Sequence, residues 1–225
     1  MPTATLSLPL NGYFRPSSES PQQPWLLVLM HGVGSNAQDL FSLAPHVPAE
    51  FHLLSLQGPF TLGPNAYAWF EFSVGAQGQR TINTEQEQHS RALLTQTIRL
   101  AAEQLGVPAN RVVVGGFSQG GIMSLSLLLT QPQLMKAICV WHSRLLPEVA
   151  SQEVAPDQLA NHAVWLSHGT QDDVIPLSNA EVTREHLSTL PVQLSYHTYP
   201  AAHTIHPREL ADCMQWLQAL VDDSH

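Results

Sequence analysis

The stretch Arg111-Val112-Val113-Val114-Gly115-Gly116-Phe117-Ser118-Gln119-Gly120-Gly121 constrains the fold more than any other part of the chain. Three successive valines read as a buried strand. After the glycines comes Ile122-Met123-Ser124-Leu125-Ser126-Leu127-Leu128-Leu129, an apolar run that ends at Thr130-Gln131-Pro132. Strand, tight turn and buried helix therefore follow one another without a spacer. Gly116-Phe117-Ser118-Gln119-Gly120 fits G-x-S-x-G, the pattern of a nucleophile elbow. Such a turn strains the backbone and pushes one hydroxyl into the open, while glycines at both flanks let neighbouring backbone pass close by. The N-terminus of the following helix then aims N–H groups at an oxyanion forming beside the serine.

The same alternation runs through most of the chain. Strands are expected at 25–30, 51–56, 137–141, 163–167 and 193–199. Helices are expected from Asp39, after Thr84, after Ser178 and from Pro207. This order predicts an α/β fold with a mostly parallel central sheet and helices on both faces. No internal repeat and no linker interrupts it, so residues 1–225 read as a single domain. Residues 4–10 alternate loosely and are expected to form an edge strand, and Asn11 to Pro24 reads as loop. Thr84-Glu85-Gln86-Glu87 has the form of a capping box, and Gly106-Val107-Pro108 stops the helix behind it. Ser178 and Glu181 suggest a second cap, and 147–161 reads as a polar connection. Residues 59–83 show no period but concentrate aromatic side chains, which either wall a pocket or cover the sheet edge.

Composition narrows the function classes. The chain has 225 residues, 9 Lys+Arg against 18 Asp+Glu and a net charge of −9. An acidic protein is poorly suited to phosphate backbones or anionic membrane surfaces, so no nucleic-acid partner is expected. Lys136 is the only lysine, which leaves little for a P-loop or a Schiff base. Cys139 and Cys213 form neither a disulfide framework nor a zinc spacing and are expected to be free, buried thiols. No apolar run approaches membrane-spanning length and no basic region precedes an apolar segment at the N-terminus. Stable membrane insertion is not expected, and a cytoplasmic location is.

An activated serine needs a base, and the base needs a group that holds its tautomer. In a fold of this type the order is Ser, acid, His, each on a loop after a strand. Asp172 follows the strand 163–167 by one short turn, and His203 follows the last strand directly. Asp173 and His206 are their neighbouring rivals. A metal pair at His203 and His206 lacks a carboxylate or cysteine cluster to complete it, so no metal site is expected. The oxyanion would be held by the N–H groups of Val33, in the glycine-rich loop after Met30, and of Gln119. Trp69, Phe70, Leu145 and Ile175 are candidates for substrate contact.

Four segments together resemble the phospholipase/carboxylesterase family of α/β-hydrolases, which includes acyl-protein thioesterases and small bacterial carboxylesterases. They are Met30-His31-Gly32-Val33-Gly34, Gly116-Phe117-Ser118-Gln119-Gly120-Gly121, His168-Gly169-Thr170-Gln171-Asp172-Asp173-Val174-Ile175-Pro176 and Tyr199 to His203. The resemblance spans about Trp25 to Val221. It implies Ser118, Asp172 and His203 as the catalytic set, Val33 and Gln119 as oxyanion donors, a small-molecule ester or acyl substrate and no cofactor. A homodimer is left open. The rival readings are a non-hydrolytic binding protein of the same fold and a hydrolase of lactones or activated amides. Three positions depart from the family pattern: Ser35 where Asp is frequent, Ala202 where Gly usually precedes the histidine, and His142-Ser143 where Ser-Gly is common.

Overall fold

All six residues of Trp25-Leu26-Leu27-Val28-Leu29-Met30 are buried, which suits a strand inside a sheet covered on both faces. The protein is described by a computed structural model over residues 6–19, 23–75 and 80–223. In chain order its elements begin β1 (Gly12–Arg15), β2 (Trp25–Met30), α1 (Ala37–Phe41), β3 (Phe51–Leu56), β4 (Phe60–Gly63) and β5 (Ala66–Ala68). They continue with β6 (Phe72–Val74), β7 (Arg80–Ile82), α2 (Thr84–Leu105), β8 (Val112–Phe117), α3 (Gln119–Thr130) and β9 (Ala137–Trp141). The chain closes with α4 (Pro147–Ala150), β10 (Ala163–Gly169), α5 (Leu177–Ser188), β11 (Gln193–Tyr199) and α6 (Pro207–Asp222).

Seven strands form the main sheet in the order β1-β3-β2-β8-β9-β10-β11. Every pair from β3 to β11 is parallel, and β1 runs antiparallel on β3. The two-residue period of a strand divides the core into two layers. Leu26, Val28 and Met30 point to one face, where they meet Leu94, Ile98 and Ala101 of α2, the apolar side of α3 and Leu187 of α5. Trp25, Leu27 and Leu29 point to the other, against Leu40 of α1 and Cys213, Met214, Leu217 and Val221 of α6. From β2 the chain steps to β3 on one side, then returns to β8 on the other. The order thus reverses between β2 and β8, and a crevice opens at their C-terminal ends.

The edge strand differs from expectation. Residues 4 and 5 lie outside the described residues, 6–10 form no strand, and β1 falls within the segment read as loop. Arg15 accounts for its position. Its guanidinium donates to the carbonyls of Ala44 at 2.6 Å, Val47 and Pro48 at 3.3 Å and Phe51 at 2.9 Å, pinning β1 beside β3. The cap of α2 is Asn83 rather than Thr84: the Asn83 side chain accepts from Gln86 N–H at 3.1 Å. Glu87 is consequently turned inward, where it pairs with Arg91 at 3.2 Å. Likewise α5 starts behind Pro176, with no side-chain cap, because the fixed proline φ already sets the helical entry. The 147–161 connection contains α4 and a short 3-10 turn at Pro156–Leu159. The aperiodic segment 59–83 resolves into two small hairpins, β4–β5 and β6–β7.

Candidate active site

Ser118 sits between β8 and α3 at φ 53° and ψ −115°, a backbone conformation that costs a non-glycine residue energy. The strain persists because both sides of the turn are held. The Ser118 N–H donates to the Trp141 carbonyl at 2.9 Å, and the Ser143 hydroxyl donates to the Ser118 carbonyl at 2.8 Å. Gly120 lets α3 pack against the end of β2, since a Cβ there would run into the Met30 carbonyl.

The loops after β10 and β11 bring Asp172 and His203 to this hydroxyl. His203 Nε2 lies 2.9 Å from Ser118 Oγ, and His203 Nδ1 lies 2.7 Å from Asp172 Oδ2. The other carboxylate oxygen of Asp172 accepts from the N–H groups of Val174 at 3.0 Å and Ile175 at 2.8 Å. Burial works against the Asp172 charge, but the hydrogen bonds from His203, Ile175 and His142 outweigh it and hold the pKa below the usual aspartate value. The two rivals lie elsewhere. Asp173 is exposed, and His206 caps α6 by accepting from Arg208 N–H at 3.2 Å.

The loop after β2 carries Val33, one of the two residues expected to hold the oxyanion. Val33 N–H makes no hydrogen bond to a described residue, and Gln119 N–H belongs to the first turn of α3, which has no intrahelical acceptor. Both residues line a cavity with Ser118. Gly34 N–H donates to Tyr67 O at 2.8 Å, anchoring this loop on the β4–β5 hairpin. Beneath it, His31 Nδ1 faces the Gly32 carbonyl at 2.7 Å while Nε2 accepts from Gly58 N–H at 3.0 Å. Burial pushes the His31 pKa down, so the ring is neutral with its proton on Nδ1.

Behind Asp172 lies a residue that the sequence marks only as a departure from the family pattern. His142, at the end of β9, is fully buried. Its Nδ1 is 2.9 Å from Asp172 Oδ2 and its Nε2 is 3.2 Å from Glu209 Oε2 in α6. A ring with a carboxylate at each nitrogen donates from both. Burial opposes the resulting charge, but Glu209 and Asp172 prevail and raise the His142 pKa. The ring stacks on His168 at 5.2 Å. Gly169 makes room for it, because a Cβ there would come within 2.7 Å of His142 Cε1. Among the described residues, His142, Asp172 and His203 are also the group whose ligand atoms lie within 4.8 Å of one another. Both Nδ1 atoms already face the same carboxylate oxygen as donors, so this donor set reads as a hydrogen-bond network rather than a cation cage.

The sequence profile of the phospholipase/carboxylesterase family matches residues 14–221. The chain belongs to the phospholipase/carboxylesterase family. Within it, the chain is similar to an acyl-protein thioesterase 1 of Neurospora crassa, 32% identical over 120 residues. That match covers 52% of this chain and spans just under half of the relative, 46%. In three dimensions the fold resembles a carboxylesterase of Bacillus cereus, with a TM-score of 0.81 at 22% identity over 94% of this chain and 95% of that one. It also resembles esterase PE8, with a TM-score of 0.76 at 26% identity over 94% and 99%.

Of the residues expected at the substrate, Phe70 and Ile175 line the cavity beside Ser118, together with Phe72, Ile82 and Ile122. Trp69 and Leu145 are not part of that lining. Trp69 is fully buried, its indole N–H donating to His31 O at 2.9 Å and its backbone N–H to Gln119 Oε1 at 2.7 Å. Two arginines that the sequence reading did not single out, Arg80 and Arg144, complete the lining. Arg144 and His142 both follow the end of β9, so the strand-end rule that found Asp172 would have found them too.

Proposed function

We propose that the chain hydrolyses carboxylic esters or thioesters through an acyl-enzyme on Ser118. The observation that carries this reading is the continuous hydrogen-bonded series Ser118 Oγ, His203 and Asp172, at 2.9 and 2.7 Å, in the crevice where the strand order reverses. As Oγ attacks the carbonyl carbon, His203 Nε2 accepts its proton, and Asp172 holds the ring with Nδ1–H and stabilises the imidazolium that forms. The N–H groups of Val33 and Gln119 donate to the oxyanion of the tetrahedral intermediate. His203 then passes the proton to the leaving alcohol or thiol. Water, deprotonated by the same ring, attacks the acyl-enzyme, and collapse of the second intermediate frees the acid and Ser118. Membership of the phospholipase/carboxylesterase family supports the reaction class.

A fluorophosphonate probe tests the reading, because it reacts with activated serines. Stoichiometric labelling on Ser118, located by mass spectrometry and lost in Ser118→Ala together with ester hydrolysis, is the expected result. An unreactive wild-type protein, or an adduct on another residue, rejects it.

A further inference from the structure

Two hollows meet at Arg80, Arg144 and Ile175. The inner one, about 20 Å³, also touches Ser118 and Gln119. The outer one, about 460 Å³, is lined further by Asp173, Val174, Pro176 and Asn179. Arg144 is half-buried and makes no hydrogen bond or ion pair with a described residue. Burial works against its charge, Glu148 favours it and the neighbouring Arg80 opposes it. Among the described residues, Arg80 is held by neutral groups: it donates to the Val174 carbonyl at 3.1 Å, and its guanidinium lies 5.2 Å from the Phe72 ring centroid. Two of the nine basic residues of an acidic chain therefore line one cavity with Ser118, with no carboxylate of a described residue bonded to either.

This arrangement is unfavourable unless something completes it. A guanidinium carries five N–H donors in a rigid fork and keeps its charge. Drawing it partly out of water beside a like charge, with its donors left to water, costs free energy that an oxyanion with two acceptors would recover. We propose that Arg144 and Arg80 bind a carboxylate carried by the substrate, so that this hydrolase acts on acid esters or acid thioesters. The proposal rests on the hydrolase reading above and adds the substrate class. The same chemistry serves whether the carboxylate belongs to the acyl part or to the leaving alcohol or thiol. Asp173, in the outer hollow, works against it and sets a limit on the charge the site accepts.

Hydrolysis of matched pairs in a pH-stat distinguishes the two placements. Monoethyl glutarate against ethyl valerate carries the charge on the acyl side, and butyryl glycolate against ethyl butyrate carries it on the alcohol side. The wild-type enzyme should favour the anionic member of one pair by about tenfold or more in kcat/KM at low ionic strength. That preference should shrink as salt is added. Arg144→Met should abolish the preference, Arg144→Lys should restore part of it, and Asp173→Asn should enlarge it. The ratio within a pair is the readout, so a general loss of activity cancels. Neutral esters turned over as well as both anionic ones, or a preference that survives Arg144→Met, would overturn the proposal while leaving the hydrolase reading intact. Binding is tested separately on Ser118→Ala protein. Monoethyl glutarate or butyryl glycolate should raise its Tm where the neutral partner does not, and adding Arg144→Met should remove the shift. Absence of any shift counts against the subsite whatever the turnover assays give.

Discussion

At the scale of single residues, the site consists of one strained serine and a set of imidazoles and carboxylates that share protons. Asp172 Oδ2 faces two imidazole nitrogens, His203 Nδ1 and His142 Nδ1. In Asp172→Asn the amide either turns its N–H₂ toward both of those donors, or offers them a weaker acceptor while setting its N–H₂ against the N–H groups of Val174 and Ile175. Ester turnover should fall by about 10²- to 10⁴-fold with the fold retained, and a loss below about tenfold would mean that Asp172 does not orient the base. His142 makes a second, pH-dependent prediction. Its folded-state pKa is raised, so its contribution to stability is complete below the ordinary histidine value of about 6.5 and is lost as pH rises through the raised value. Asp172 has the opposite sign: its lowered pKa gives a contribution present above about 4 and lost as pH falls through the folded value. The Tm deficit of His142→Gln should therefore be larger at about pH 5.5 than at about pH 9. Melting curves whose separation is independent of pH would show that the ring is not a buried cation. Ser118, Asp172 and His203 were legible in the sequence because each follows a strand that an apolar run announces. Glu209 was not, because nothing in Pro207-Arg208-Glu209 marks a carboxylate that will meet a histidine 67 positions earlier.

At the scale of elements, the glycine-flanked turn is secured by what is folded over it. The Gln119 side chain accepts from Trp69 N–H at 2.7 Å and donates to the Phe70 carbonyl at 2.6 Å, joining the segment after β5 to the start of α3. Gln119→Ala would leave two buried backbone groups unpaired, at about 1–3 kcal/mol each. The Tm should drop by several degrees, and the apolar lining beside Ser118 should loosen with it. That lining also sets a limit on chain length. With about 20 Å³ of space at Ser118, the cavity walled by Phe70, Phe72 and Ile175 encloses little more than the first carbons of an acyl chain. Each methylene that it does bury is worth about 0.8 kcal/mol. Gains in kcat/KM across a series of neutral ethyl esters should stop near butyrate or valerate, and a continued rise to decanoate would mean that the chain passes on into the outer hollow beyond Ile175. The strands β2, β8 and β9 were readable as unbroken apolar runs, and β3 as an apolar run broken by His52 and Ser55. The hairpins β4–β5 and β6–β7 were not, because strands of three or four residues with mixed burial are too short to display a period.

At the scale of the whole molecule, the parallel sheet is a two-sided core, and its interior strand β2 bears on both layers. Leu27 on β2 is fully buried between β3 and β8. Leu27→Ala should lower stability by about 2–5 kcal/mol, measured by denaturant unfolding, whereas a change under about 1 kcal/mol would mean that the second layer refills the space. The fold class was legible because strand and helix alternate. The edge was not, because β1 is held by side-chain bonds from Arg15 rather than by an apolar pattern of its own. The order of the proposed triad along the chain has one more consequence. Ser118, with the turn that presents it, leaves the ribosome well before His203 and the Glu209 end of the buried proton network. On the proposed mechanism, a nascent or C-terminally truncated chain would carry the hydroxyl but not the base, and would gain a reactive nucleophile only when the final strand and helix dock. On that mechanism, thiols, lipids and activated esters would meet an inert alcohol during synthesis, until the last elements of the chain supply the base.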